Sequence, residues 1–334
     1  IGGGPYGDDC ADDEFYWAAC ELYLTTGEKA YLKDLEKSDL AYTVPATLSA
    51  GEDADTAGSF DWGNTAALGT LSLALHKDDL EKKTAEKVTS AITDAADVHL
   101  GREEQQGYGQ SYAQSKLSYA DNDTGYVWGS NSFVADNAVI LAAAYDLTGE
   151  QNYLNGVISA MDYLLGRNPM DVSYITGYGS HAVQYPHHRY WAHQISEEYP
   201  MAPAGVLVGG PNSGMQDPWV QGSGWKKGEI APAKCYLDNI EAWSVNECTI
   251  NWNAPLAWLT AFVCDANGGI VANTGSMASE QLDPSAGDSE ESSQTSAGSN
   301  QQNQANDSTE KSSSGAFPWT LVIVLGAILL GAII

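Results

Sequence analysis

The pattern of apolar and polar positions over the first ~270 residues predicts helices joined by long loops. The segment 12–27 begins with acidic residues and ends at a glycine, as helices commonly do. In the segment 78–100, Leu80, Val88 and Ile92 recur at helical spacing. Further helices are predicted near 28–38, 61–76, 131–147, 151–166 and 251–265, and one short strand is predicted at 204–210. The globular part is therefore predicted to be all-α.

One local pattern occurs twice. The stretches YLTTGEKAYL at 23–32 and YDLTGEQNYL at 145–154 both read as a helix end, a TGE turn and a new helix with Tyr-Leu on its inner face. Repeated helical hairpins are typical of helix bundles and of α/α toroids. The pattern alone leaves both architectures open.

The composition changes near residue 271. Residues 271–315 are rich in Ser, Gln and Asn and poor in apolar side chains, which predicts a disordered linker. Residues 316–334 are uncharged and mostly apolar, close to the ~20 residues that span a bilayer, so a transmembrane helix is expected there. Because the chain starts at Ile1 without a signal peptide, we expect a fragment of a longer, exported precursor anchored at the extracellular face of the cell membrane.

The net charge and the aromatic content limit the classes of molecule that the protein is expected to bind. The formal net charge is −29, with 44 acidic and 15 basic residues, so nucleic acid and anionic membrane surfaces are repelled. The 10 Trp and 18 Tyr outnumber the 5 Phe, and aromatics with polar tips favour half-exposed platforms on which sugar rings stack. Ordinary packing at the rim of a core is the alternative for many of them. The five Cys have no CxxC spacing, and no disulfide is assigned.

The segment 173–193 is the first that carries chemistry. It places His187, His188 and Arg189 directly after a proline. Zinc binding by His187, His188 and His193 is disfavoured, because the spacing is poor and no carboxylate or thiolate ligand lies nearby in sequence. Alternatively, a proline-fixed loop presents His187 and Arg189 as hydrogen-bond donors to a polar substrate.

The segment 235–253 is the second segment with candidate catalytic residues. Asp238 and Glu247 lie nine residues apart among Trp and Tyr side chains. A carboxyl group between aromatic walls loses hydration, so its pKa rises and it can serve as a general acid near neutral pH. Glu247 could instead favour the start of the following helix through the helix dipole. Spacing alone leaves both interpretations open.

Both segments resemble the signature regions of glycoside hydrolase family 9, the inverting cellulases built on an (α/α)6 barrel. The residues that carry the first resemblance are Thr176, Gly177, Gly179, Pro186, His187 and Arg189, with a departure at His181. Those that carry the second are Tyr236, Asp238, Trp243, Glu247, Asn253 and Ala254. The resemblance covers about 1–265, and it implies that residues 1–270 are the C-terminal part of such a barrel, incomplete at its N-terminal side.

The resemblance also implies roles for the site residues. Glu247 is similar to the family's proton donor, and Asp238 to the second acid of the active site. His187 and Arg189 look like the pair that binds the sugar beside the cleavage point. The expected platforms for glucose units are Trp62, Trp128 and Trp243.

No cofactor is required for the implied chemistry, but some members of the family hold a structural calcium ion. Asp13, Glu14 and Asp61 resemble its carboxylate ligands. Their alternative interpretation is as acidic residues at helix starts.

The resemblance implies hydrolysis of β-1,4-glucosidic bonds in cellulose or related β-glucans with inversion. An inverting enzyme needs a second carboxylate to activate water, and in this family the base lies in an Asp-rich DAGD motif. No such motif occurs here, so we expect the base to be missing and the isolated chain to be inactive. The alternative from another class is a non-catalytic glycan-binding protein at the cell surface. A lyase on the same barrel would need an acidic substrate, which the negative charge disfavours.

Overall fold

The computed structural model describes residues 7, 10–117 and 124–266. The predicted linker at 271–315 and the predicted membrane helix at 316–334 lie outside the described residues. Between residues 10 and 266, as far as they are described, no helix has both the length and the apolar character needed to cross a bilayer.

The described part is mostly helical, as the sequence pattern predicts. Its helices and strands are α1 (Asp12–Thr26), α2 (Lys29–Lys37), α3 (Ala66–Leu75), α4 (Lys82–Gln105), β1 (Ser115–Lys116), β2 (Thr124–Gly125), α5 (Ser130–Thr148), α6 (Gln151–Leu164), α7 (Pro218–Gly222), α8 (Trp243–Asn246) and α9 (Ile250–Ala266). The strands β1 and β2 form a small antiparallel pair that the sequence did not predict. Every predicted helix is confirmed, with ends that differ by a few residues.

The two TGE segments form the same helical hairpin. Gly27 ends α1 and Gly149 ends α5, with φ values of 70° and 74° that glycine adopts without a Cβ penalty. Each glycine N–H donates to the carbonyl oxygen four residues back, at Tyr23 and Tyr145 respectively. The threonine before each glycine bonds back to the preceding helical turn. The predicted repeat is therefore confirmed at the level of individual hydrogen bonds.

Helix α5 lies at the centre of the core. It packs against α4, α6 and α9, while α1 packs against α2 and α3. Small and apolar side chains cover α5 on most sides, which is typical of a fully buried helix. The buried Asn137 on this helix donates through Nδ2 to the carbonyl oxygens of Ala57 and Ser111, both at 3.0 Å. Buried polar side chains thus fasten loops to the core.

The predicted strand at 204–210 is wrong. Leu207 forms one isolated bridge with Ile175, and the neighbouring backbone groups bond to several different segments. The N–H of Leu207 donates to the side chain of Asn253, and the N–H groups of Gly209 and Gly210 donate to the segment 245–247. The apolar run is buried because it joins α9 to the loops of the site, and no sheet is involved.

Candidate active site

Loop segments that are distant in sequence converge on Glu247. Its N–H donates to the carbonyl of Trp243 at 3.1 Å, and its own carbonyl accepts from Gly209 at 2.8 Å. His187 and Glu247 form an isolated parallel bridge between the two signature segments. The imidazole and the carboxyl group therefore arise at neighbouring points of the backbone, as the sequence predicted for a shared site.

The Glu247 carboxyl group is half-buried against an indole ring. Trp128 donates its Nε1–H to Oε2 of Glu247 at 3.2 Å. Burial raises the pKa of this carboxyl above its ordinary value of 4.5, whereas the nearby His187 and the Trp128 hydrogen bond both oppose the rise. A carboxyl group in this setting tends to hold its proton, as a general acid must.

The alternative of a helix-capping role for Glu247 is wrong. Glu247 ends the short helix α8, and α9 begins three residues later at Ile250 without an acidic residue in its first turn. The side chain turns instead to Trp128. Its position is therefore explained by the site and not by the helix dipole.

Two close backbone approaches build the wall beside Trp128. A Cβ atom added at Gly129 would lie 2.7 Å from the ring of Trp252, and one added at Gly209 would lie 3.0 Å from it. Gly129 also has a φ of 75°, which disfavours other residues. The buried Trp252 can therefore pack directly under both loops.

His187 is held in one orientation. Its Nδ1 lies within hydrogen-bonding distance of the Ile240 carbonyl, and a carbonyl oxygen only accepts, so Nδ1 carries the proton. Its ring centroid lies 6.2 Å from that of Trp243, with the planes tilted by 52°. Because Nδ1 is committed to the backbone, Nε2 is the ring nitrogen left to interact with a ligand.

Asp238 holds the loop that leads to His187. Its carboxylate accepts from the N–H groups of Gln184 at 2.8 Å and Tyr185 at 3.0 Å, and from Nδ2 of Asn246 at 3.2 Å. These donors occupy both oxygen atoms. The geometry therefore indicates that Asp238 positions the loop.

The loop after His187 presents Arg189 to solvent. The ring of His188 stacks on Trp191 with centroids 4.0 Å apart, and its Nδ1 accepts from the N–H groups of Tyr190 and Trp191. Burial lowers the pKa of His188, in keeping with a neutral acceptor ring. The His188 side chain thus shapes the turn, and the exposed Arg189 is left available to a substrate.

Two of the predicted calcium ligands are committed to the turn before α3. Asp13 accepts from the N–H and the hydroxyl of Thr65 at 2.6 and 3.2 Å. Asp61 accepts from the Gly63 N–H and the Asn64 amide, both at 2.9 Å. Trp62 lies half-buried in the same turn, and its stacking role stays a prediction.

A carboxylate that sequence reasoning missed lies beside Asp61. Burial, reinforced by the charge of Asp61, raises the pKa of Asp53 to about 8, and burial likewise raises that of Asp61. Across 10–117 and 124–266, no group of three or more His, Cys, Asp or Glu side chains is arranged to hold a metal ion. Calcium binding with Asp13, Glu14 and Asp61 stays a prediction. Zinc binding by the three histidines likewise gains no support.

Sequence reasoning also missed Asn246, which is fully buried directly before Glu247. A polar residue between Asp238 and Glu247 was a weak signal by itself. Only its contacts with residues up to 61 positions away reveal what it does.

Comparison with known proteins identifies the group of proteins to which this site belongs. The family model described as Glycosyl hydrolase family 9 matches residues 1–260. A cellulose 1,4-β-cellobiosidase of Acetivibrio thermocellus is 45% identical over 267 residues, which are 78% of this chain and 29% of that protein. Endoglucanase C of Cellulomonas fimi is 42% identical over 266 residues, covering 79% of this chain and 22% of the relative.

Solved structures agree with the sequence comparison. The crystal structure of the family 9 endoglucanase J30 superimposes with a TM-score of 0.64 and 28% identity, over 78% of this chain and 44% of that chain. The chain spans less than a third of the length of the two relatives named above. This chain belongs to glycosyl hydrolase family 9.

Proposed function

We propose that the whole protein hydrolyses β-1,4-glucosidic bonds in cellulose or a related β-glucan, with inversion of configuration and with Glu247 as the general acid. The observation that carries this proposal is the half-buried Glu247 carboxyl group, whose pKa is raised and which lies between Trp128 and His187. The names of the relatives, a cellobiosidase and an endoglucanase, support the substrate class. The helical hairpins support an (α/α)6 barrel of which this chain is one part.

In the proposed reaction Glu247 gives its proton to the glycosidic oxygen as the bond to the anomeric carbon breaks. The carboxylate that remains accepts the Trp128 indole N–H and lies near His187. Both groups stabilise the ionised form more than the protonated one. They therefore lower the cost of the proton transfer, while burial keeps the proton in place until substrate binds.

The attacking water needs a base, which in inverting glycosidases lies about 6.5–9.5 Å from the acid. Asp238 is poorly suited, because its oxygen atoms already accept from the loop 184–185 and from Asn246. The sequence contains no DAGD motif. We therefore propose that the base comes from outside this chain, so that the chain alone binds glucan without hydrolysing it.

The remaining proposals concern binding and location. Trp128, Trp243 and Trp62 would stack against glucose units, and Arg189 would donate hydrogen bonds to their hydroxyl groups. The residues 316–334 would anchor the protein at the outer face of the cell membrane.

Cellohexaose provides the test, with maltohexaose as the α-linked control. Calorimetric titration of the chain should show binding of cellohexaose and weak or no binding of maltohexaose. A separate assay should detect no reducing sugar released from cellohexaose by the chain. The whole protein should hydrolyse cellohexaose and release the α-anomer first, as proton NMR can follow. Normal turnover by the isolated chain would contradict the placement of the base. Binding without any hydrolysis by the whole protein would instead support a glycan-binding protein.

A further inference from the structure

The structure assigns to Asn246 the role of a positioning residue that keeps His187 in register with Glu247. The inference rests on the proposed function only in calling Glu247 the acid. The positioning role itself depends only on the hydrogen bonds that join the two loops.

The backbone and side chain of Asn246 bond to both signature segments at once. Its carbonyl accepts from the His187 N–H at 2.7 Å, and its Nδ2 donates to the carbonyl of Tyr185. The same Nδ2 lies 3.2 Å from Oδ1 of Asp238. Asn246 therefore holds the chain by hydrogen bonds at Tyr185, two residues before His187, and at His187 itself.

The other end of the amide is fixed from the core. The hydroxyl group of Tyr236 donates to Oδ1 of Asn246, and Tyr236 is buried edge-on against Tyr174, with ring centroids 5.0 Å apart. Because both ends of the amide are engaged and the residue is fully buried, its side chain has no freedom to rotate without losing hydrogen bonds.

An amide suits this position better than other side chains of the same size. It must accept from the Tyr236 hydroxyl group on one side and donate to Tyr185 and Asp238 on the other. A carboxylate at this position would oppose the Asp238 charge and the Tyr185 carbonyl with another acceptor. An aliphatic side chain would leave buried polar groups without partners.

The consequence falls on His187 and Glu247. Glu247 follows Asn246 directly, and the His187 imidazole is fixed by the Ile240 carbonyl on the same segment. If the side-chain hydrogen bonds of Asn246 are lost, the loop 184–187 can move relative to Glu247. The His187 ring then loses its fixed place beside Trp243, and the surroundings of the Glu247 carboxyl change.

Fluorine NMR on the chain labelled with 5-fluorotryptophan can read out this geometry without catalysis. Trp128 bonds to Glu247, and Trp243 lies beside His187, so the two indoles report on the two side chains separately. Substitution of each Trp by Phe assigns its resonance among the 10. In the parent chain the Trp128 resonance should titrate with pH, and Glu247→Gln should abolish that titration.

In Asn246→Ala we expect the Trp243 resonance to shift or broaden and the midpoint of the Trp128 titration to move. The matched control is Asn137→Ala, because Asn137 is also fully buried and also fastens two backbone carbonyls, Ala57 and Ser111, in the core. The control should lose comparable thermal stability and leave both resonances and the titration midpoint in place.

Tyr236→Phe, which removes one hydroxyl group, should produce the same changes as Asn246→Ala at smaller size. It carries the test if Asn246→Ala does not fold. Parent-like Trp243 and Trp128 resonances in the variants that fold would overturn the positioning role. Failure of the chain to bind cellohexaose would contradict the proposed function but would leave the positioning role of Asn246, as read by fluorine NMR, unaffected.

Discussion

Two acidic side chains of one segment, Glu247 and Asp238, differ in what surrounds them. The Glu247 carboxyl group is half-buried, receives the Trp128 indole N–H, and has a raised pKa because it is desolvated. The Asp238 carboxylate accepts two backbone N–H groups and one side-chain amide, all from residues that shape the site. An acid whose two oxygen atoms both accept hydrogen bonds therefore fastens a loop, whereas a dehydrated acid with few donors is fit to transfer a proton.

The largest effect should come from removing the proton itself. Glu247→Gln in the whole protein keeps the shape of the side chain and its contact with Trp128 but has no proton to transfer. Hydrolysis of cellohexaose should fall by about 10²–10⁴-fold, the usual share of general acid–base catalysis, while cellohexaose affinity stays close to that of the parent. Steady-state kinetics measures the rate of hydrolysis, and calorimetry measures the affinity for cellohexaose. Full activity in the variant would contradict the role of Glu247 as the general acid.

Removing the acid that fastens the loop should act through structure. Asp238→Ala strands the N–H groups of Gln184 and Tyr185 and the Asn246 amide, so the free energy of unfolding should drop by about 1–3 kcal/mol. Urea denaturation measures it. The control Asp34→Ala removes an exposed carboxylate paired with Lys37 and should change stability little. Equal stability of both variants would contradict the fastening role.

A smaller effect should follow from changing the donor on Glu247. Trp128→Phe removes the indole N–H, which favours the ionised carboxylate, so the pKa of Glu247 should rise further. In the whole protein the alkaline limb of the pH–rate profile should then move to higher pH. An unchanged or lowered limb would show that the hydrogen bond does not govern the acid.

A separate effect on stability concerns another desolvated acid, Asp53, whose pKa is raised from 3.8 to about 8. A folded-state pKa above the unfolded value means that the group stabilises the fold fully below about pH 4 and loses this contribution as pH rises toward 8. Asp53→Asn should therefore flatten the decline in thermal stability between these values. A pH dependence identical to that of the parent would show that Asp53 titrates normally.

The fold was predictable from sequence where the signal is local. Helical spacing gave α1 to α6 and α9, and the TGE pattern gave the two hairpins, because caps and turns depend on neighbouring residues. The strand expected at 204–210 failed because an apolar run looks alike whether it joins a sheet or packs under loops.

The site was predictable only where its residues match a spaced pattern. That pattern singled out Glu247 and His187, which the structure brings together, and their roles stay a prediction. The fastening by Asp238 and Asn246 depends on pairs 53 to 61 residues apart, and spacing along the chain does not show which of two acids is saturated with donors. The same holds for the pairing of Asp53 with Asp61, which is visible only after folding.

Titration of the Glu247 side chain measures whether this carboxyl group holds its proton as a general acid must. In a chain labelled with ¹³C at the glutamate carboxyl carbon, the Glu247 resonance can be assigned by its absence from Glu247→Gln and followed with pH. A dehydrated acid beside Trp128 should show a midpoint above the ordinary 4.5. A midpoint at or below that value would mean that burial does not outweigh the Trp128 hydrogen bond and the nearby His187, and it would contradict the general-acid role of Glu247.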